Sequence, residues 1–537
     1  MSISQIQIPT AIERALGRFY DSLDAEEMKM FSQCTTENDI WTLAKELEEE
    51  QGERRSLRAL RKIEPFITGI SQYAGVIEVF VQVKPDILGV IWGPLKFMLQ
   101  LASTFTDSFD RLLDACQKIG QELPRFTRFA RIFQYSDRVQ HVISLVYEDI
   151  LDFLRRALKF FHRRAWKIMF NLFWNTFESR IGLTLRNLQK HQILIDNEAS
   201  AEDIEQSHIA REKALEKYEE EMRDKQTQRK KLLCDWLQPP DMETAKDRFL
   251  QLKTPGTNDW LFRSKDVENW FSGKRNVIWL TGKPGAGKTV LSASLIDEIE
   301  SRIHSGSEPS SLLYFFCSYK QPDKNNCLAL LRSLIWQRLL QDNDLIPYVY
   351  DLYINNPNSA SFPRCKKLLN DLLGECTPCG SHPIYVILDG LDELPEAERK
   401  QLFPVLKPIL TEEPFIFTTR VYIASQDLVD IRKALKKSTS VPIKDNNKGD
   451  IRKYIEAKAG YVIEELGLED EDPDLYNSIV QSLSSRADGM FLWVRLVIEG
   501  ILSQTTPAEV KNAISNLPVG LDQASVASIL SLFIETC

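Results

Sequence analysis

The chain lacks an excess of positive charge. Its 537 residues carry a formal net charge of -9, whereas a nucleic-acid binder needs clustered cations against the phosphate backbone; no nucleic-acid partner is expected. It also lacks a secretory start, because "MSISQIQIPTAIERALGRFY" has no basic opening followed by an apolar core. A disulfide framework is missing too. The nine cysteines are scattered singly apart from Cys376 and Cys379, which suits a reducing compartment and a cytoplasmic protein. Long apolar runs are scarce. The longest weakly polar stretch, Ile87 to Phe105, contains Pro94, Lys96 and Gln100, which a bilayer centre penalises, so it reads as a buried helix.

What is present is ordinary globular material, with 43% hydrophobic and 27% charged residues, in a chain too long for one compact core. Residues 1–200 read as an all-helical N-terminal domain, with apolar residues at helical spacing in "FDRLLDACQKIG" and "ISLVYEDILDFLRRALKFF". Within it, Arg155, Arg156, Lys159, Arg163, Arg164 and Lys167 alternate with aromatics. That mixture fits either a core helix with a solvated basic face or an amphipathic surface for acidic lipid or a partner. Residues 201–240 form a charged helical stalk and linker, with Glu and Lys or Arg at four-residue spacing, broken by Pro239 and Pro240. Residues 241–445 alternate short apolar strands with helices, and residues 446–537 return to helix. The candidate strands are "NVIWLT", "SLLYFFCS", "IYVILD", "PFIFTT" and "STSVPI". Such a rhythm predicts a parallel sheet covered on both faces.

The chemistry concentrates in Gly282-Lys283-Pro284-Gly285-Ala286-Gly287-Lys288-Thr289, entered from "NVIWLT" and followed by "VLSASLIDEIESRI". Strand, glycine-rich turn and helix in that order make a phosphate cradle. The glycines let backbone N–H groups turn toward phosphate, and the helix start adds its positive end. Lys288 is expected on the β- and γ-phosphates and the Thr289 hydroxyl on Mg²⁺. A second acidic partner follows from "IYVILDGLDEL", where an apolar strand ends in Asp389, the expected magnesium residue. Asp392 and Glu393 are candidates to orient or deprotonate water. The other reading is a solvated acidic loop capping the next helix, which fits Glu393 better than Asp392. In "EPFIFTTRVY", Thr419 and Arg420 are expected where a later strand ends, with Arg420 sensing the γ-phosphate.

Asn447-Lys448-Gly449-Asp450 spells a guanine-reading pattern, although Asp450 also suits a helix N-cap. No Asp-x-x-Gly switch accompanies it, because "GLD" follows Asp389. ATP/ADP with Mg²⁺ is therefore the expected ligand set. Cys365, Cys376, Cys379 and His382 are too irregularly spaced for a convincing zinc site.

"GTNDWLF", "VIWLTGKPGAGKTVL", "YVILDGLDEL", "FIFTTR", "DIRKYIEAKAG" and "ADGMFLWVRLVIEGI" stand in the order found in fungal NACHT proteins. These are signal-transduction ATPases related to NOD-like receptors, and the region also resembles the nephrocystin-3-like N-terminal module. The resemblance spans about Pro255 to Leu521. It implies an additional-strand P-loop NTPase core, preceded by an all-α domain and followed by a short helical subdomain. It implies a nucleotide switch as well: ADP closes a monomer, ATP opens it and promotes oligomerisation, and slow hydrolysis resets it. Trp260 is then a candidate for seating the base, and Trp493 for packing the helical subdomain against the sheet. Relatives continue into a winged helix and repeats, whereas this sequence stops at Cys537, so an expectation of a truncated lid and sensor goes with the resemblance. A protein partner or a second copy of the chain is the expected partner. A non-hydrolysing scaffold and an effector touching membrane through its N-terminal domain are the alternative readings.

Overall fold

The computed structural model describes residues 16–17, 19–20, 37–51, 62–73, 86–103, 106–132, 137–161, 166–196, 201–305, 310–343, 345–354, 359–374, 383–410, 419–443, 446–466, 474–504, 506–515 and 517. The chain divides into two compact units, Met1–Lys230 with Tyr350–Leu352, and Lys231–Val349 with Tyr353–Cys537.

The described part of the first unit is helical. Its helices are α1 (Glu37–Gln51), α2 (62–73), α3 (Asp86–Ser103), α4 (Thr106–Ile132), α5 (Asp137–Phe161), α6 (Trp166–Asp196) and the start of α7 (Ala201–Leu237). The stretch that can be read as membrane-active is core. In α3, Ile91, Leu95, Met98 and Leu99 are buried, and α3 packs against α4 and α5. Phe160, Phe161, Trp174 and Phe177 are buried as well; Phe160 stacks on Phe177 at 5.1 Å, and Trp174 meets the same ring edge-on at 5.1 Å. Of the basic residues, Arg155 and Arg156 both pair with Asp152. The described aromatics thus supply core packing and Arg155 and Arg156 are tied locally, whereas Lys159 is exposed and Arg163, Arg164 and the Lys167 side chain lie outside what is described. No described helix is long and apolar enough to cross a membrane. A buried polar link joins α5 to α6, where His191 Nε2 and Asp149 Oδ2 lie 2.9 Å apart.

The polar run 201–237 is one continuous helix, exposed along most of its length until Leu233 and Leu237 turn inward. It enters the second unit, followed there by α8 (Glu243–Gln251). A five-stranded parallel sheet organises this unit, in the order β2-β3-β4-β1-β5. Its strands are β1 (Val277–Thr281), β2 (Ser311–Phe316), β3 (Ile384–Asp389), β4 (Thr419–Ser425) and β5 (Thr439–Pro442). Every residue of β2 and β3 is buried, as expected where helices cover both faces. Helices α9 (Lys288–His304) and α10 (Cys327–Gln341) lie against the strands, α11 (Phe362–Gly374) packs on α10, and α12 (Glu396–Leu410) lies against β4. Strand β4 lies between β1 and β3, which is the additional-strand arrangement of a P-loop NTPase.

One strand differs from the sequence expectation. Apart from Thr419 the run "PFIFTT" lies outside the described residues, and the described strand is Thr419–Ser425. Val421, Tyr422, Ile423 and Ala424 are all 0% exposed between β1 and β3. Burial on both sides accounts for the strand at Thr419–Ser425.

Helices α13 (Lys448–Leu466), α14 (Leu475–Arg486), α15 (Phe491–Ile501) and α16 (Pro507–Ser515) close around their own core, which includes Ile455, Ala459, Val462, Leu483, Trp493 and Val497. Trp493 belongs to this helical core, not to a contact with the sheet.

The first unit holds one backbone-close approach. A Cβ added at Gly120 of α4 would meet Phe66 N and Cα of α2 at 2.4 Å. Gly120→Ala is expected to force the helices apart and lower stability by about 1–3 kcal/mol. Urea unfolding followed by tryptophan fluorescence checks this, and an unchanged midpoint would contradict the close approach.

Candidate functional site

The cradle forms where β1 ends. Gly285 and Gly287 have φ of +73° and +90°, a backbone region that L side chains rarely adopt. The turn delivers the chain into α9, which begins at Lys288. Lys288 Nζ donates to Gly282 O at 3.0 Å and Lys283 O at 3.1 Å, holding its ammonium across the loop. Directly beneath, Asp389 ends β3 at 2% exposure. Ser292 Oγ, one turn along α9 from Lys288, donates to Asp389 Oδ1 at 2.7 Å. Burial pushes the Asp389 carboxyl up to about 6, opposed by the Ser292 and Thr289 hydroxyls and the Lys288 ammonium, which favour its charge. Thr289 and Asp389 therefore converge, as a magnesium pair requires. A hydroxyl and a carboxylate beside a glycine-lined turn match the donor set of a magnesium nucleotide.

The acidic residues after Asp389 take different positions. They lie in a 3-10 turn, Leu391–Glu393. Both Asp392 oxygens are engaged by Gln426, whose backbone N donates at 2.9 Å and whose Nε2 donates at 2.7 Å. Glu393 Oε2 accepts from Tyr319 N at 3.2 Å, and burial raises its carboxyl above the ordinary range. Neither residue caps α12.

Arg420 is not at the crevice. Because β4 begins at Thr419, Arg420 aligns with Tyr385 at the start of β3, whereas Asp389 aligns with Ala424. Four residues of strand, about 13 Å, separate it from the phosphate-facing end. Its guanidinium bonds Phe271 O and, at 2.7 Å, Tyr385 Oη. Arg420 thus ties the opposite edge of the sheet to the segment before β1. The residue just past the crevice end of β4 is Gln426.

The guanine-type pattern has an internal role. Helix α13 starts at Lys448, so Asp450 lies in its first turn and is not the N-cap. Asp450 is 8% exposed, and its Oδ2 accepts from Asn258 N at 2.8 Å. Asn258 Nδ2 in turn donates to Ser294 Oγ of α9 at 2.8 Å. "GTNDWLF" is therefore stitched to α9 and α13, with Trp260 only half-buried beside these bonds. The candidate zinc residues Cys376, Cys379 and His382 lie outside the described residues. Burial pushes the Cys365 thiol up to about 11. Among the described residues no cluster of three His, Cys, Asp or Glu could hold a metal.

The start of α15 sits on the cradle. Leu492 N donates to Gly285 O at 3.3 Å, and a Cβ at Gly285 would meet Leu492 Cβ at 2.6 Å. Lys283 Nζ pairs with Asp488 at 2.5 Å. Asn447 Nδ2 reaches Gly489 O at 2.9 Å and Ala286 O at 3.4 Å.

Residues 256–426 match the family model described as Nephrocystin 3, N-terminal. This chain carries a NACHT-type nucleotide module. Ahead of that NACHT module, residues 61–206 match a family described as a domain of unknown function (DUF7708). The chain is also similar to the vegetative incompatibility protein HET-E-1 of Podospora anserina, at 26% identity over 271 residues. That match spans 49% of this chain and 19% of the relative. Together these place the chain with NACHT-domain proteins of the fungal type.

Four residues of the NACHT module's site escape a motif reading: Ser292, Gln426, Asp488 and Leu492. Ser292 carries a signal, since it stands four residues after Lys288 on the same helical face. Gln426 becomes visible only once β4 is placed. Asp488 and Leu492 are some 200 residues from their partners, and nothing local marks them.

The buried Asp389 sets a pH dependence. Its folded carboxyl holds a proton to about 6, above the ordinary value of 3.8. Between those values the folded NACHT module binds more protons than the unfolded chain, so metal-free stability falls as pH rises through that window. Asp389→Asn is expected to flatten that decline without unfolding the chain. Thermal melting in chelator between about pH 4.5 and about pH 6.5 checks it; parallel slopes for both proteins would contradict it.

Proposed function

We propose that the chain is an ATP-driven signalling switch of the NOD-like receptor type, in which the helical subdomain reads the state of the phosphate loop. The observation that carries this reading is the seat of α15 on the cradle. Gly285 O, Lys283 and Ala286 O all contact residues 447–492 of the helical subdomain. A change in what the loop holds therefore bears directly on the helices.

In this reading the backbone N–H groups of Gly282 to Thr289 hold the phosphates and the Lys288 ammonium balances their charge. Thr289 and Asp389 hold Mg²⁺, which when bound shields the phosphate oxygens and supports cleavage of the terminal phosphate. Glu393, half-buried and with its pKa raised, orients and deprotonates water. Asp392 acts through Gln426: it fixes the turn that carries Glu393 against the end of β4. A charged sensor at Arg420 forms no part of this mechanism. Hydrolysis resets the switch, and the N-terminal helical unit serves as the output or partner-binding module. Similarity to a vegetative incompatibility protein supports a signalling role of this kind. The aromatics of α3, α5 and α6 are buried in the helical unit's own core, which speaks against their insertion into lipid.

The test separates chemistry from positioning. Glu393→Gln is expected to cut ATP turnover by at least about a hundredfold while ATP binding survives, in line with loss of a general base. Asp392→Asn keeps one acceptor for Gln426 and is expected to lose only about tenfold. Radiolabelled phosphate release with parallel binding measurements checks both. Undiminished turnover in Glu393→Gln would remove the base assignment, and no turnover in the wild type would favour a scaffold that holds ATP without using it.

A further inference from the structure

Strand β2 is at the edge of the sheet, and its outward amides are taken by side chains. Leu312 N and Tyr314 N donate to Gln341 and Gln337 of α10, at 2.9 Å and 2.8 Å. The next outward amide, Phe316 N, donates instead to the Met242 thioether at 3.4 Å. Met242 stands directly before α8, at the end of the linker that follows α7. Phe249 of α8 packs on Phe316 at 5.0 Å. The linker and α8 thus lie along the end of β2.

The loop that leaves this edge, residues 317–326, is bonded on two sides. On the crevice side, Cys317 N donates to Asp389 O at 2.9 Å and Tyr319 N to Glu393 Oε2 at 3.2 Å. On the linker side, Lys324 Nζ donates to Asp241 O at 3.1 Å. Ser318 N donates to Lys324 O at 3.1 Å and Lys324 N to Gln321 O at 2.8 Å, which closes the loop on itself between the two. Asp241 is fixed in turn, because its Oδ1 accepts from Glu243 N and Thr244 N at 3.0 Å and 3.1 Å. Only Gln238, Pro239 and Pro240 separate it from the end of α7.

We propose that Lys324 is a positioning residue for Glu393, and that through it the linker sets the rate of nucleotide hydrolysis. The proposal rests on the reading of Glu393 as the residue that activates water, and adds the route by which the stalk acts on it. A general base works only within hydrogen-bond reach of its water, so a small displacement of the carboxylate costs rate. Tyr319 N sets one oxygen of that carboxylate, and Lys324 sets the loop that carries Tyr319. Two consecutive prolines have fixed φ, so they pass a shift at the end of α7 on to Asp241 instead of absorbing it. A partner that moves the stalk then changes turnover without touching the cradle.

Steady-state phosphate release from MgATP by the full chain tests this in Lys324→Met, Lys324→Arg and a Pro239→Gly, Pro240→Gly double variant. Lys324→Met keeps the apolar stem and removes the donor. It is expected to lower kcat at least about threefold with KM within about twofold of wild type, and Lys324→Arg, which still donates, to retain kcat. The proline variant is expected to lower kcat likewise and to add nothing to Lys324→Met. In a Glu393→Gln background, Lys324→Met is expected to have no further effect. The proline variant leaves every bond of the loop in place, so poor folding of Lys324→Met leaves the test intact. A wild-type kcat in Lys324→Met or in the proline variant would overturn the proposal, as would a loss that persists in full in the Glu393→Gln background. Those outcomes leave the water-activating role of Glu393 standing. A wild type without turnover, or undiminished turnover in Glu393→Gln, would overturn that role and this proposal with it.

Discussion

The contact on which the nucleotide half depends is the seat of one helix start on a glycine-rich turn. Leu492 approaches Gly285 so closely that a single added carbon would collide with it. The left-handed backbone at Gly285 and Gly287 does two things at once. It turns amides toward phosphate, and it leaves room for residues 491 and 492 to lie against the loop. A phosphate loop walled by a second subdomain cannot change shape without moving that wall. The physical basis of the proposed switch lies there more than in any single catalytic group.

The crevice behind that contact is held by bonds between strand ends. Gly282 N donates to Ser425 O, Trp279 Nε1 donates to Ser425 Oγ, and Gln426 grips Asp392. The ends of β1, β3 and β4 are thereby locked in register, with Asp389 buried among them. Burying this carboxyl costs stability while no metal shares its charge. Ser292 and Thr289 offset part of that cost, and a bound cation would offset the rest.

Much of this was legible in the residues. Strand, glycine turn and helix around Gly282 to Thr289 are short-range features, and so is the apolar run ending in Asp389. Their juxtaposition follows from parallel-sheet topology, in which strand ends gather on one edge. The aromatic-basic stretch near Phe160 was open to two readings, because periodicity cannot tell which partner an apolar face meets. Arg420 went astray for a related reason: apolar residues continue past it to Ala424, and only burial between β1 and β3 shows that the strand runs on with them. Asp450 looked like a cap and proved to be a long-range anchor for Asn258. Contacts such as Leu492 on Gly285 have no local signature, since their partners are brought together by the packing of α13 to α16.

The central claim is that the helical subdomain closes over an occupied phosphate loop. Purifying the full chain under native conditions, denaturing it and identifying the nucleotide it releases tests that claim most directly. The account predicts ADP in near-stoichiometric amount, retained because the loop and residues 488–492 hold each other shut. A chain that releases no nucleotide, with a loop that nonetheless binds ATP when offered, would contradict it.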